Sequence, residues 1–332
     1  MHESLWMLHW LYAGVLFIFG LAMGSFLNVV AWRVPMNMSV LRPPSSCPSC
    51  GTRILARDNV PLLGWLALRG RCRSCRKGIP ARYPLVELAT GVLWAGVGWM
   101  LAGMDNGYWT NLFVGLLWLA FVSAMVVTFL VDWDFQIILD EISLGGLAAA
   151  LVASILLPVI HGAETSASFH TQHPMLAGVL GDAPAWLRSL SVSLIGAAVG
   201  LAFSLAIYFV CSWVFRRQIE QARQDDPEID SALGLGDVKL MAAYGALFGW
   251  VGVIFIYMAG SVLGAAAGTV MKLRSGDPEG RSGLAGLARR WENGSSVIPF
   301  GPFLVLASLV FLFWGDGVID YLFPESLFVA PR

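Results

Sequence analysis

Residues 8–32 read LHWLYAGVLFIFGLAMGSFLNVVAW, a stretch without Lys, Arg, Asp or Glu. A helix needs about 20 apolar residues to cross the hydrocarbon core of a bilayer. This stretch is long enough to span a membrane. Its leader carries an acid, Glu3, whereas a cleavable signal peptide begins with basic residues. The segment therefore predicts a transmembrane helix and no cleaved leader.

The composition of the whole chain agrees with a membrane protein. Of the 332 residues, 57% are hydrophobic and 13% are charged, and the mean hydropathy is +0.69. Soluble domains carry about 25% charged residues. These values exclude a soluble cytosolic enzyme, a disordered chain and a secreted disulfide scaffold, and the net charge of −1 does not suggest nucleic-acid binding. We predict an all-α polytopic membrane protein.

Further apolar segments predict about eight transmembrane helices in total. They cover residues 85–103, 111–131, 142–160, 188–215, 238–271 and 298–314. The run over 238–271 is too long for one span, and we interpret it as two short helices that break near Gly249.

Basic residues orient these helices. Nineteen of the 21 Lys and Arg lie in residues 34–84, 216–236 and 272–297 or flank spans as Arg33 and Lys239. Cytoplasmic loops hold the excess of positive charge. We therefore expect these segments on the cytoplasmic side of a bacterial inner membrane, with both chain termini on the periplasmic side.

The segment 161–186 contains no Lys or Arg and lies on the opposite side in this topology. We expect a loosely ordered loop. Its three histidines, His161, His170 and His173, could bind a metal, but solvated loop histidines are the preferred interpretation.

Four cysteines occupy the polar segment 34–84. Cys47 and Cys50 form one C-x-x-C pair, and twenty-one residues later Cys72 and Cys75 form another. Two such pairs supply four thiolates for a tetrahedral, structural zinc. Nearby Arg71, Arg73 and Arg76 would favour the thiolate form. The alternative is two disulfides, which a reducing cytoplasm disfavours. The fifth cysteine, Cys211, lies in an apolar span and is expected to be a small core residue.

Two acids stand at the ends of predicted spans. Asp132 ends the third span, and Asp237 follows Gly234-Leu235-Gly236 at the start of the sixth. The topology places both at the cytoplasmic level. If they meet, they would share a proton, hold a water, deprotonate it and protonate a leaving amine. The alternative is that each is only a helix cap. Asp134 and Asp140 compete with Asp132 for the role.

Several motifs, taken together and in order, resemble the type IV prepilin peptidase family (prepilin leader peptidase/N-methyltransferase). They are Gly24-Ser25-Phe26-Leu27-Asn28 with Arg33-Val34-Pro35, the first cysteine pair within 44–51, Asp58-Asn59-Val60-Pro61, Arg69-Gly70-Arg71-Cys72, Arg82-Tyr83-Pro84-Leu85-Val86-Glu87, Gly234-Leu235-Gly236-Asp237 and Pro299-Phe300-Gly301-Pro302. The resemblance covers nearly the whole chain.

The resemblance implies two activities. One is cleavage of the basic leader from type IV prepilins and type II secretion pseudopilins, after a Gly and on the cytoplasmic side. The other is N-methylation of the new N-terminal residue with S-adenosylmethionine as donor. It maps the family's catalytic aspartates onto Asp132 and Asp237. The intact cysteine pairs support retained methyltransferase activity.

The residues that bind the methyl donor are less apparent, because no dinucleotide-type glycine motif follows a strand. Our candidates are Gly24, Asn28, Arg33 and Glu87, between the cysteine loop and the first span. Glu87 could hold an ammonium group of the donor or of the substrate, or could be only a favourable charge at a helix end. We divide the chain into a methyltransferase-associated region, 1–100, and a peptidase bundle, 101–332.

Two further features need interpretation. The family usually has Pro at the position of Leu139, and we expect the replacement to change loop geometry without loss of peptidase activity. An acidic cluster, Asp225, Asp226, Glu228 and Asp230, could attract the basic leader, although a solvated loop is the preferred interpretation.

Two other functional classes remain as alternatives. An ion-coupled transporter would use Asp132 and Asp237 as proton or cation sites, but it predicts charges deeper within the spans and an inverted repeat, neither of which is evident. A non-catalytic secretion assembly factor would function without both aspartates. The sequence does not indicate an oligomeric state.

Overall fold

The computed structural model describes residues 2–166, 169, 173–214, 216–217, 219–220, 234–274 and 299–322. Within them the regular structure is helical, apart from two isolated antiparallel bridges that join Ser46 to Arg53 and Arg71 to Gly78. The predicted all-α class is confirmed for this part of the chain. The chain divides into two compact units, Met1–Phe135 and Gln136–Arg332. The predicted functional division at residue 100 stays a prediction.

The first unit contains four helices. They are α1 (His2–Arg33), α2 (Leu63–Ala67), α3 (Arg82–Ala102) and α4 (Tyr108–Phe135). Helix α1 packs along α3, and α4 packs against both. The segment between α1 and α3 carries the four cysteines and a short 3-10 turn, Ala56–Asp58.

Glycines bring α1 and α3 close together. A Cβ on Gly20 would lie 2.7 Å from Cβ of Trp94, and a Cβ on Gly24 would lie 2.7 Å from Cα of Glu87. Lipid provides little hydrophobic drive between helices, so small residues that allow close packing stabilise such pairs. This packing fixes the end of α1 beside the start of α3.

The second unit contains five described helices. They are α5 (Asp140–Leu156), α6 (Pro174–Leu180), α7 (Ala185–Val214), α8 (Leu235–Arg274) and α9 (Gly301–Leu322). Helix α8 packs against α5, α7 and α9. Leu240, Met241 and Tyr244 of α8 are among its fully buried side chains, so the first half of α8 forms the centre of this unit.

Helix α8 is interrupted at Gly249, as the sequence predicts. The backbone angles there are φ 70° and ψ −178°, which only glycine adopts readily. The interruption divides α8 into two half-helices, and the first of them carries Asp237.

Five of these helices are long and apolar enough to cross a membrane. The matching segments are Trp6–Arg33, Arg82–Ala102, Tyr108–Phe135, Ala185–Val214 and Leu235–Val270. Helix α5 is apolar but has 17 residues, and Gly301–Gly315 is a shorter apolar segment of α9. The multi-pass membrane character is thus confirmed, while the number of eight spans remains a prediction.

The segment after α5 is packed, which corrects the expectation of a loosely ordered loop with solvated histidines. His161 is only 5% exposed, at the end of a 3-10 turn over Pro158–His161. Ala163, Phe169 and Ala177 form a small apolar core with Val192 of α7. The loop therefore has a core of its own, and His161 is buried against Ser189 and Ala246. His173 is partly buried, and His170 lies outside the described residues.

Candidate functional site

The four loop cysteines form one cluster. Their Sγ atoms all lie within 4.8 Å of one another, with Cys47 and Cys75 separated by 3.9 Å and Cys50 and Cys72 by 4.0 Å. A tetrahedral zinc with Zn–S bonds of about 2.3 Å requires sulfur separations of about 3.8 Å. All four cysteines are free, which excludes the alternative of two disulfides in this structure. The cluster therefore fits a four-thiolate metal ion.

The two cysteine pairs have the same backbone arrangement. The N–H of Gly51 donates to the carbonyl of Cys47, and the N–H of Arg76 donates to the carbonyl of Cys72. Both donors have positive φ, 69° for Gly51 and 61° for Arg76. Each turn folds back so that its two sulfurs face the same point. The sequence spacing predicted this geometry.

Hydrogen bonds lower the pKa of two thiols in the cluster, Cys50 and Cys72, whereas burial and contacts with the other sulfurs raise the pKa of Cys75 to about 11. Hydrogen bonds with the side chain and the backbone of Thr52 lower the pKa of Cys50 to about 6. Backbone N–H groups of Cys75 and Ser74 lower the pKa of Cys72. We expected neighbouring arginines to supply this effect, but Arg73 instead forms an ion pair with Asp58.

Three contacts hold the cysteine loop in shape. Arg73 donates to both carboxylate oxygens of Asp58, at 2.7 and 2.5 Å, and so holds the pKa of that carboxyl below its usual range. The indole N–H of Trp65 donates to the carbonyl of Ile79. The carboxylate of Glu87 on α3 accepts the backbone N–H of Leu62 at 2.8 Å. The loop is therefore tied both to itself and to α3.

Glu87 stabilises an uncommon backbone conformation. Leu62 has φ 60°, which is unfavourable for a residue other than glycine. The hydrogen bond from its N–H to a buried carboxylate compensates for this and places α2. The sequence could not indicate this role, because Leu62 and Glu87 are twenty-five positions apart.

The methyl-donor candidates lie near one another. Gly24 packs on Glu87, and the Asn28 amide donates to the carbonyls of Gly24 and Tyr83. Arg33 donates to the carbonyls of Ser39 and Pro43 and so fixes the start of the loop. The structure brings Gly24, Asn28 and Glu87 together at the α1–α3 contact. Each of the four candidates also has a structural role, because each packs against or hydrogen-bonds to another residue of the protein.

Asp132 lies in the last turn of α4 and is only 6% exposed. The two competing acids, Asp134 and Asp140, each form an ion pair with a basic side chain. Arg82 holds Asp134 with two contacts of 2.7 and 2.5 Å, and Lys239 pairs with Asp140 at 2.5 Å. Sequence reasoning did not find these two partners, and no local spacing signals them. Asp132 is therefore the buried acid among the three.

Asp237 lies in the first turn of α8, 7% exposed. Its N–H donates to the carbonyl of Gly234. A Cβ on Gly236 would lie 2.9 Å from Cβ of Ile138, so this glycine lets the turn approach the segment before α5. Asp132 belongs to the first unit and Asp237 to the second.

Three other sequence predictions concern the acidic cluster, Cys211 and Leu139. The acidic cluster Asp225, Asp226, Glu228 and Asp230 lies outside the described residues. Cys211 is partly rather than fully buried. Leu139 has φ −68°, the angle that proline would impose, so its replacement of proline leaves this backbone angle unchanged.

Comparisons with known proteins give a consistent result. Residues 18–101 match the family described as the bacterial peptidase A24 N-terminal domain, and residues 119–269 match the type IV leader peptidase family. No solved structure matches the chain.

Curated relatives match over most of their length. A prepilin leader peptidase/N-methyltransferase of Aeromonas hydrophila is 32% identical over 94% of this chain and 93% of its own. One from Myxococcus xanthus is 35% identical over 80% of this chain and 65% of its own. One from Stutzerimonas stutzeri is 30% identical over 91% of this chain and 90% of its own. The chain therefore belongs to the prepilin leader peptidase/N-methyltransferase family.

Proposed function

We propose that this membrane enzyme removes the leader peptide of type IV prepilins and type II secretion pseudopilins and then methylates the new N-terminal residue with S-adenosylmethionine. Family membership supports both activities, since the names of the relatives contain both. The five long apolar helices support a substrate whose own apolar segment lies in the bilayer.

Peptide cleavage is assigned to Asp132 and Asp237. One carboxylate takes a proton from a water, which attacks the scissile carbonyl, and the other protonates the leaving amine. The observation that carries this assignment is the burial of Asp132 in the last turn of α4. Asp134 and Asp140 are exposed and form ion pairs with Arg82 and Lys239. The meeting of Asp132 with Asp237 is part of the proposal.

The proposed topology has eight spans, with both termini periplasmic in a bacterial inner membrane. Helix α5, the two halves of α8 and helix α9 supply the spans beyond the clearest candidates. The basic loops then face the cytoplasm. Arg33 and Arg82, at the ends of α1 and α3, support this orientation because they place the cysteine loop beside the same leaflet.

Zinc is the proposed ion of the cysteine cluster, held by Cys47, Cys50, Cys72 and Cys75. A four-thiolate site has no open position for a substrate, so the ion would stabilise the loop rather than take part in catalysis. The sulfur separations near 4 Å support this assignment.

The methyl donor is proposed to bind where the loop meets α1 and α3, with Gly24, Asn28, Arg33 and Glu87 at the site. The proximity of three of them supports the location. Methylation is accordingly assigned to residues 1–100 and cleavage to residues 101–332.

The decisive experiment uses purified enzyme and a synthetic prepilin. Asp132→Asn and Asp237→Asn should each lower cleavage by at least about a thousandfold, because either loss removes a proton-transfer group. Both variants should still methylate a pre-cleaved peptide. Asp134→Asn is the matched control and should keep most of the cleavage. Wild-type cleavage by either Asp132→Asn or Asp237→Asn would reject the two-aspartate assignment.

A further inference from the structure

The interruption of α8 leaves backbone groups that need partners. At Gly249 the φ of 70° and ψ of −178° end the first half-helix. The last carbonyls of a helix accept no hydrogen bond within the helix, because no following turn supplies the N–H donors. In a buried position each such carbonyl needs another hydrogen-bond donor, since an unsatisfied buried carbonyl destabilises the fold. The carbonyl of Ala246 lies in this last turn.

Two side chains from other elements reach that carbonyl. Ser193 of α7 donates to it at 2.8 Å, and Nε2 of His161 lies 3.2 Å from it. Both side chains are buried, and both are distant from Ala246 in the sequence. A loop histidine and a helix serine thus donate to a carbonyl that lies just before the interruption.

The bonding fixes the state of His161. A carbonyl can only accept, so Nε2 carries the proton. Nδ1 lies 2.8 Å from the hydroxyl of Ser189, which can donate to it. Burial, and then the charge of His173, lowers the pKa of His161 to about 4, so the ring is neutral near pH 7 and, with Nε2 protonated, is held in one tautomer. His173 donates from Nε2 to the carbonyl of His161 at 2.9 Å, which fixes the turn that presents the ring.

The loop that carries His161 is anchored by Arg188. This buried guanidinium donates to the carbonyls of Gly181, Ala163 and Glu164 and to the hydroxyl of Ser166. Its Cζ also lies 5.6 Å from the ring centroid of Phe169. The contacts of Arg188 therefore help to hold the loop that positions His161.

The half-helix before the break is held along its length by glycines of α7. A Cβ on Gly196 would lie 1.9 Å from the Gly245 carbonyl oxygen, and a Cβ on Gly200 would lie 2.3 Å from that of Met241. Such close approach lets the half-helix that carries Asp237 pack directly on the α7 backbone. The bonds to Ala246 lie at the far end of the same half-helix.

We propose that His161 and Ser193 are positioning residues of the peptidase: they cap the interrupted helix at Ala246 and thereby fix the half-helix that presents Asp237. This inference rests on the proposed function because it takes Asp237 as catalytic. It assigns the loop after α5 a task in catalysis although the loop does not supply a reacting group.

The test compares Ser193→Ala and His161→Ala with two matched variants in the full-length enzyme. Ser204→Ala removes an equally buried hydroxyl of α7, which bonds to Gly200 and Tyr257 and not to Ala246. His161→Gln keeps an N–H donor. The measurements are hydrogen–deuterium exchange over residues 246–253, kcat and KM of prepilin cleavage, and methylation of a pre-cleaved peptide.

We expect Ser193→Ala and His161→Ala to raise exchange over 246–253 and to lower kcat by about tenfold, with KM and methylation unchanged. His161→Gln should restore part of both properties, and Ser204→Ala should resemble the wild type. Unchanged exchange would overturn the cap. Raised exchange with normal kcat would overturn its role in positioning. If the wild type fails to cleave prepilin, the proposed function fails, while the exchange data still decide whether the cap exists.

Discussion

At the scale of single residues, three acids near the end of α4 have different surroundings. Asp132 is buried, Asp134 pairs with Arg82, and Asp140 pairs with Lys239. Two residues along a helix differ by about 200° in direction, so Asp132 and Asp134 must face opposite sides. Helical geometry thus gives Asp132 and Asp134 different surroundings although they are two positions apart and chemically identical.

Glu87 provides a residue-scale prediction. Glu87→Gln retains an oxygen that can accept the Leu62 N–H but loses the charge, whereas Glu87→Ala loses both. If the carboxylate holds an ammonium group, both variants should lower methylation at least tenfold, as expected for loss of a charged hydrogen bond of about 1.5–3 kcal/mol. Methylation of a pre-cleaved peptide measures this effect, and prepilin cleavage serves as the control.

The two substitutions separate the two roles of Glu87. Normal methylation by Glu87→Gln, together with loss in Glu87→Ala, would mean that Glu87 only anchors Leu62. The donor site would then have to be sought elsewhere.

At the scale of elements, the cysteine loop depends on its cluster as well as on packing. Replacing Cys72 and Cys75 by Ser removes two of the four sulfurs and should abolish binding of the proposed zinc. We expect metal content to fall to near zero and methylation to decrease, with cleavage less affected. Elemental analysis of the purified protein measures the metal.

Cys211→Ser is the matched control for this experiment. Cys211 lies in α7, outside the cluster, and its replacement should leave the zinc content unchanged. Full zinc retention by the Cys72 and Cys75 double variant would contradict the assignment of the site.

The contact between α7 and α8 gives a second prediction for elements. Gly196→Ala would place a methyl group 1.9 Å from the Gly245 carbonyl oxygen, so the helices must separate. We expect destabilisation of about 1–3 kcal/mol. Gly145→Ala on α5 is the control, because nothing lies within 4 Å of its added Cβ. It should be neutral or slightly stabilising. Thermal unfolding in nanodiscs compares the two, and equal effects would contradict the packing.

At the scale of the whole molecule, acid should loosen the second unit. Burial, and then the charge of His173, lowers the pKa of His161 to about 4, whereas an unfolded histidine titrates near 6.5. The unfolded state therefore binds the proton first. The stabilising contribution is complete above about pH 6.5 and is lost as pH falls towards 4. Burial lowers the pKa of His173 as well, which acts in the same direction.

The expected loss for His161 between pH 7 and pH 5 is about 2 kcal/mol. Hydrogen–deuterium exchange over residues 158–163 and 246–253, followed between these pH values, measures the local opening. His161→Gln should show a smaller pH dependence, because it removes one of the two described histidines of this loop, His161 and His173. An equal dependence in both proteins would contradict the assignment to His161.

The sequence by itself determined the features that depend on nearby residues. Long apolar runs specify membrane helices, the two C-x-x-C spacings specify the four-cysteine cluster, and Gly249 marks the break in α8. The apolar runs and Gly249 act through hydrophobicity and backbone geometry within a few consecutive residues. The cysteine cluster follows from one C-x-x-C turn that occurs twice. These features can therefore be predicted without knowledge of the packing.

Only the tertiary structure decided which distant residues meet. In the fold, His161 is buried against Ala246, and the Leu62 N–H donates to Glu87. Asp134 and Asp140 form ion pairs with Arg82 and Lys239. Such pairs depend on how helices and loops pack in three dimensions. Residues that are many positions apart give no local sequence signal of such a contact. Their hydrogen bonds and ion pairs form only when folding brings the two groups within bonding distance.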